Sequence, residues 1–127
     1  MEDERPGTTH KTILNVDNHT LRDLWIKISA DEEHTEGPRQ VNNGQSISCD
    51  SDKVRFGNAA SYHIDVWRND NGHQGGHIGG YDTGVRFNGA GFDDTDELVV
   101  VTVGGKTHLQ ALSQRKAGEV VGEIILA

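Results

Sequence analysis

Leu21-Arg22-Asp23-Leu24-Trp25-Ile26-Lys27-Ile28-Ser29 places Leu24, Ile26 and Ile28 at every second position, with Asp23, Trp25, Lys27 and Ser29 between them. A period of two marks an extended strand, because successive strand side chains leave on opposite faces. Ser61-Tyr62-His63-Ile64-Asp65-Val66-Trp67-Arg68 repeats the pattern. Tyr62, Ile64 and Val66 share one face, while His63, Asp65 and Trp67 share the other. Strands with one apolar and one polar face predict an antiparallel sheet that covers a core on one side only.

The rest of the chain keeps this rhythm. Thr12–Asp17 is a strand-like run ended by Asn18-His19, close enough to residues 21–29 to pair with them antiparallel. Residues 30–45 are polar and contain Gly37-Pro38 and Asn42-Asn43-Gly44, which reads as a loop with a tight turn into the next strand. Gln45–Cys49 and Lys53–Phe56 are short strands with Ile47, Val54 and Phe56 as core residues. Six glycines in residues 69–84 disfavour a helix or a central strand, so that stretch reads as a long loop or a bulged, irregular hairpin. Gly84–Asn88 is a further short strand around Val85 and Phe87, followed by an Asn88-Gly89 turn. Glu97–Val103, with four valines, suits a central strand covered on both faces. Gly104-Gly105 then predicts a hairpin to Lys106–Leu112, since type I′ turns need φ > 0 at both central positions. Leu109–Ala117 fits a helix capped by Gly118, or a strand followed by a loop. Val120–Leu126 closes the chain as a strand. These runs predict an all-β, single-domain antiparallel β-sandwich of eight or nine short strands over residues 11–127, after a disordered segment 1–10.

Composition narrows function. Only 33 % of residues are hydrophobic, 16 are glycine, and the formal charge is -8. An acidic chain with no Lys/Arg run repels nucleic acid and anionic membranes, unless a basic patch forms in three dimensions. That leaves a neutral or zwitterionic lipid or glycan as the expected partner, no nucleic acid, and a possible homo-oligomer formed through a strand edge. No run reaches the ~18 apolar residues of a membrane span. Met1-Glu2-Asp3-Glu4-Arg5-Pro6 lacks the apolar core of a signal peptide, so the expected location is cytoplasmic. With Cys49 as the single cysteine, no intramolecular disulfide forms. Asn18-His19-Thr20 has the form of a glycosylation sequon and reads as chance.

The chain carries no nucleophile elbow, phosphate-binding loop or dinucleotide fingerprint. Acidic neighbours oppose a reactive thiolate at Cys49, which shares a face with Ile47 and reads as structural. The expectation is a protein that is not an enzyme and needs no cofactor. Trp25 and Trp67 are the main binding candidates, because an aromatic on the polar face of a strand offers stacking area beside a polar edge. Partial cover of both faces is the competing reading. Asp70, Asn71, His73, Tyr81 and Asp82 complete the candidate ligand-binding set. His73, His77 and Asp82 are also a candidate metal set of imidazoles and a carboxylate, set against plain solvent-exposed loop residues. Asp93-Asp94-Thr95-Asp96-Glu97 reads either as an oxygen-rich cation loop or as a simple acidic cap.

Ile13-Leu14-Asn15-Val16-Asp17-Asn18-His19-Thr20, then Asn43-Gly44-Gln45-Ser46-Ile47, Cys49 and the strand around Ile64 and Val66 resemble the aegerolysins, small acidic β-sandwich proteins. The resemblance covers the first half of the chain. It departs from the family in lacking an aromatic-rich stretch before the later strands and in the Gly/His segment 69–84. It implies recognition of particular membrane lipid headgroups, often with a partner protein that completes a pore. A lectin and a self-assembling structural protein are the alternatives.

Overall fold

The computed structural model describes residues 13–30, 34–50, 62–82, 97–112 and 119–126. Nine strands run through these described residues: β1 (Ile13–His19), β2 (Leu24–Ser29), β3 (Thr35–Val41), β4 (Ser46–Asp50), β5 (His63–Asp70), β6 (His73–Asp82), β7 (Glu97–Val103), β8 (Lys106–Leu112) and β9 (Val120–Ile125). They form a five-stranded sheet, β4-β1-β7-β8-β9, and a four-stranded sheet, β3-β2-β5-β6. Alternation decides which side chains meet between the sheets. Leu14, Val16, Ile47, Leu98, Val100 and Leu109 from the larger sheet enclose one core with Leu24, Ile26, Ile28, Ile64 and Val66 from the smaller. The sandwich expected from sequence is the observed fold. No helix among the described residues is long and apolar enough to cross a membrane.

Pairing departs from the sequence expectation in two places. β1 and β2 do not pair with each other: β1 lies between β4 and β7, whereas β2 lies between β3 and β5. The chain changes sheets in the loop between them, where Leu21 adopts φ 69°. β1 also runs parallel to β7, the one parallel ladder among the described residues. The second departure is residues 30–45, which contain β3 rather than a continuous loop. Ladder bonds to β2 hold that polar strand at the sheet edge, with a bulge in β3 where Gly37 and Pro38 lie opposite Lys27, between the Ile26–Arg39 and Ile28–Glu36 pairs. Edge strands tolerate polar residues and Pro because one side needs no ladder partner.

Asn18 ties this corner together. It is fully buried. Its Nδ2 donates to the Arg22 and Val41 carbonyls, each at 2.7 Å. Its Oδ1 accepts from the Thr20 amide at 3.0 Å and the Thr20 hydroxyl at 2.7 Å. Its backbone carbonyl accepts the Gly44 amide at 2.7 Å. One amide thus fastens the end of β1, the β1–β2 loop, the end of β3 and the β3–β4 turn. The sequon reading at Asn18 is incompatible with this fold, since the amide nitrogen is enclosed and both of its protons are engaged.

Other expectations hold in detail. Gly104 (φ 58°) and Gly105 (φ 81°) make the β7–β8 turn with positive φ at both positions. β7 is the middle strand of its sheet, although only Val99 adds a buried outer-face side chain to Leu98 and Val100. Cys49 is buried in the core cluster near Ile47, with its thiol 3.5 Å from the His34 carbonyl. Leu109–Leu112 belong to β8, a strand rather than a helix. The expected strands at 53–56 and 84–88, the acidic residues 93–96 and the segment 1–10 lie outside the described residues.

Candidate functional site

The outer face of the smaller sheet carries the candidate site. Trp25 on β2 stands directly opposite Trp67 on β5. Gln40 on β3 lies opposite Trp25, and His77 on β6 lies opposite Trp67. Gln40, Trp25, Trp67 and His77 therefore form one row across four strands, about 14 Å long at the usual inter-strand spacing. Both tryptophans are half-buried. The Trp67 and His77 rings are tilted by 59° with centroids 5.4 Å apart, within the range of favourable edge-to-face contacts.

Two bulges bring His77 into this row. Ile78 is an extra residue between the Val66–Gly79 and Trp67–His77 pairs, and Gly75 and Gly76 lie opposite Arg68 between the Trp67–His77 and Asn69–Gln74 pairs. Such insertions re-aim side chains. Ile78 packs against the core, while His77 stays beside Trp67.

Polar groups surround the row. The Trp25 indole N–H donates to Asn69 Oδ1 at 2.9 Å. Asp65 receives two imidazoles, with His77 Nε2 at 2.9 Å from Oδ1 and His63 Nε2 at 3.2 Å from Oδ2. A ring nitrogen against a carboxylate carries the proton, so in each neutral ring Nδ1 is left as an acceptor. Gly80 sits opposite Asp65, and a β-carbon there would lie 2.5 Å from Oδ1, so the missing side chain makes room for the carboxylate. Lys27 lies opposite Asp65 on β2. Among the described residues, the Trp67 indole N–H, the Asn69 amide NH2 and the Lys27 ammonium make no hydrogen bond or ion pair. Together these residues offer donors and aromatic stacking area on one sheet face.

The candidate residues read from sequence divide into three groups. Trp25, Trp67 and His77 converge. Asp82 shares their face but lies opposite His63, farther along β6. Asp70, Asn71 and His73 sit at the tip of the β5–β6 hairpin, where Asn71 (φ 52°) and Gly72 (φ 86°) make the turn. Tyr81 is a correction. It lies opposite Ile64 and packs against the core, because its position in β6 shares the parity of the inner face. The metal set also fails to assemble: His73 and Asp82 are the two ends of β6, paired with Asp70 and His63 seven residues apart on β5, about 23 Å apart at strand rise. No group of three metal-ligating side chains occurs among the described residues. Asp65, His63, Asn69, Lys27 and Gln40 were not singled out as site residues. Alternation already placed the first two beside Trp67; Gln40 lay hidden in a stretch read as loop.

Burial, with the Asp82 carboxylate second, raises the Tyr81 phenol above its ordinary ionisation range. The folded value therefore exceeds the unfolded one of about 10. Its contribution to stability is complete below that pH and is lost as pH rises through the folded value. Alkaline titration followed by phenolate absorbance should show a transition, absent in Tyr81→Phe, that moves down when urea unfolds the chain.

Comparison with known proteins finds no matching family model, no matching curated protein and no matching solved structure. The functional reading rests on the residues themselves.

Proposed function

We propose that this chain is a non-enzymatic carbohydrate-binding module that holds a neutral saccharide across the outer face of β3-β2-β5-β6. The observation that carries this reading is the in-register pair Trp25 and Trp67, both half-buried on one sheet face beside donors and acceptors. The C–H face of a sugar ring stacks on an aromatic, while its hydroxyls need amide, indole and imidazole partners in the same plane. The row supplies both. Lys27, Asn69 and Trp67 offer the donors, and His77 offers an acceptor.

An array of neutral glycans tests it. Wild-type protein should bind a subset, and Trp67→Ala should weaken that binding by about 30-fold, the scale of a central aromatic anchor. A blank array for the wild type would sink the proposal.

The membrane-headgroup reading has a different observation in its favour. Leu21 is 85 % exposed at the β1–β2 corner and Val103 46 % exposed at the β7–β8 turn, and the Thr102 hydroxyl lies 3.4 Å from the Thr20 carbonyl. Two apolar side chains therefore project near one end of the sandwich. Co-sedimentation with phosphatidylcholine–sphingolipid–sterol vesicles that is lost in Leu21→Ser but kept in Trp67→Ala would favour that reading over the saccharide.

A further inference from the structure

A groove of about 330 Å³ opens at one end of the sandwich, lined by Arg22, Arg68, Lys106, His77, Ile78 and Thr107 together with Gly105. Three permanent cations meet there from three distant parts of the chain: the β1–β2 loop, the end of β5 and the start of β8. None of them forms an ion pair among the described residues. That grouping is unexpected in a chain of net charge -8, because solvated cations on an acidic protein have carboxylates within easy reach.

We propose that Arg22, Arg68 and Lys106 form a binding site for a compact oxyanion, a phosphate or sulfate group, free or as a monoester. Two guanidinium forks and one ammonium match the acceptor geometry of a tetrahedral oxyanion. Arg68 is positioned by the local fold. It occupies an inner-face position where the core runs out, and its guanidinium lies over Gly76, 3.0 Å from where a β-carbon would stand. A side chain at that position would crowd the guanidinium. Carboxylates border the groove without lining it: Asp65 lies behind His77, 2.9 Å from its Nε2, and an adjoining groove shares Arg22 and Arg68 and adds Asp23 and Asp70. Asp23 is held by the Asn43 amide, 3.2 Å from its Oδ1. The global charge does not forbid the site, because at physiological ionic strength a charge is felt over only about 8 Å. The groove adjoins the tryptophan row through His77, which lines both, but its three cations lie outside the row, and the proposal does not depend on what the row binds.

Titration of the labelled wild-type protein with inorganic phosphate, inorganic sulfate and galactose 6-sulfate, followed by amide NMR shifts, is the test. Saturable shifts centred on Arg22, Arg68 and residues 105–107 are expected. Binding of the inorganic ions identifies a free-oxyanion site; binding of the sugar sulfate alone identifies an ester site. Arg68→Gln should weaken binding about 10-fold, and Arg39→Gln should leave it unchanged, since Arg39 pairs with Glu36 on the far edge strand. Unsaturable shifts spread over all basic residues, or equal losses in the two variants, would overturn the site. So would silence of the groove amides to all three probes, a result that needs no variant to fold.

Discussion

Asn18→Ala should lower the free energy of unfolding by about 4 kcal/mol, read from urea denaturation. Alanine removes all four side-chain hydrogen bonds of Asn18 and leaves the Val41 carbonyl and the Thr20 amide without their partners in a buried corner. A buried, unsatisfied polar group costs about 1–3 kcal/mol, so two of them outweigh the loss of a single ordinary bond. Thr20→Val lies in the same network. The double variant should therefore lose less than the sum of the two single losses, the mark of coupled residues. An additive double variant, or a loss under about 1 kcal/mol, would mean that water replaces the amide and that the corner is not held in this way.

Gly79→Val should cost about 3 kcal/mol, the upper range for forcing a side chain into packed space. A β-carbon at Gly79 would lie 2.6 Å from the Leu126 carbonyl oxygen and 3.1 Å from the Leu126 carbonyl carbon. Backbone cannot swing aside as a flexible side chain does. The end of the chain would have to lift, although the Leu126 amide is bonded to the Thr107 carbonyl at 2.8 Å. Gly76→Ala is the internal control, since what it meets is the movable guanidinium of Arg68; its stability should stay near that of the wild type. Amide hydrogen exchange gives the mechanism: Leu126 should exchange faster in Gly79→Val and at the wild-type rate in Gly76→Ala.

These glycines also show where reading the sequence stopped. Glycine contributes no packing and costs backbone entropy, so residues 69–84 looked like a loop or at best a broken hairpin. The hairpin alternative was right, and β6 is a full strand within it. Its glycines are there because other groups approach: Leu126 at Gly79, the Asp65 carboxylate at Gly80 and the Arg68 guanidinium at Gly76. Close approach by residues distant in sequence leaves no local signal beyond the glycine itself. Tyr81 shows the same limit. Its aromatic ring beside Asp82 resembled a binding residue, and only the register with Ile64 shows that it faces inward.

The site was half legible. Alternation alone placed Trp25 and Lys27 on one wet face and His63, Asp65 and Trp67 on another, because a strand projects every second residue to the same side whatever surrounds it. That the two faces are one face, with the tryptophans directly opposite, depends on β2 pairing with β5, and pairing register is a long-range property.

The sequence by itself determined the all-β class, the two core-forming strands β2 and β5 with the residues of each that face water, and the Gly104-Gly105 hairpin. These are local consequences of period two and of φ. The tertiary structure decided the division into two sheets, the parallel β1–β7 ladder, the Trp25–Trp67–His77 row and the gathering of Arg22, Arg68 and Lys106. Each of these joins residues tens of positions apart, and such meetings are set by how the sheets share one core rather than by any local pattern.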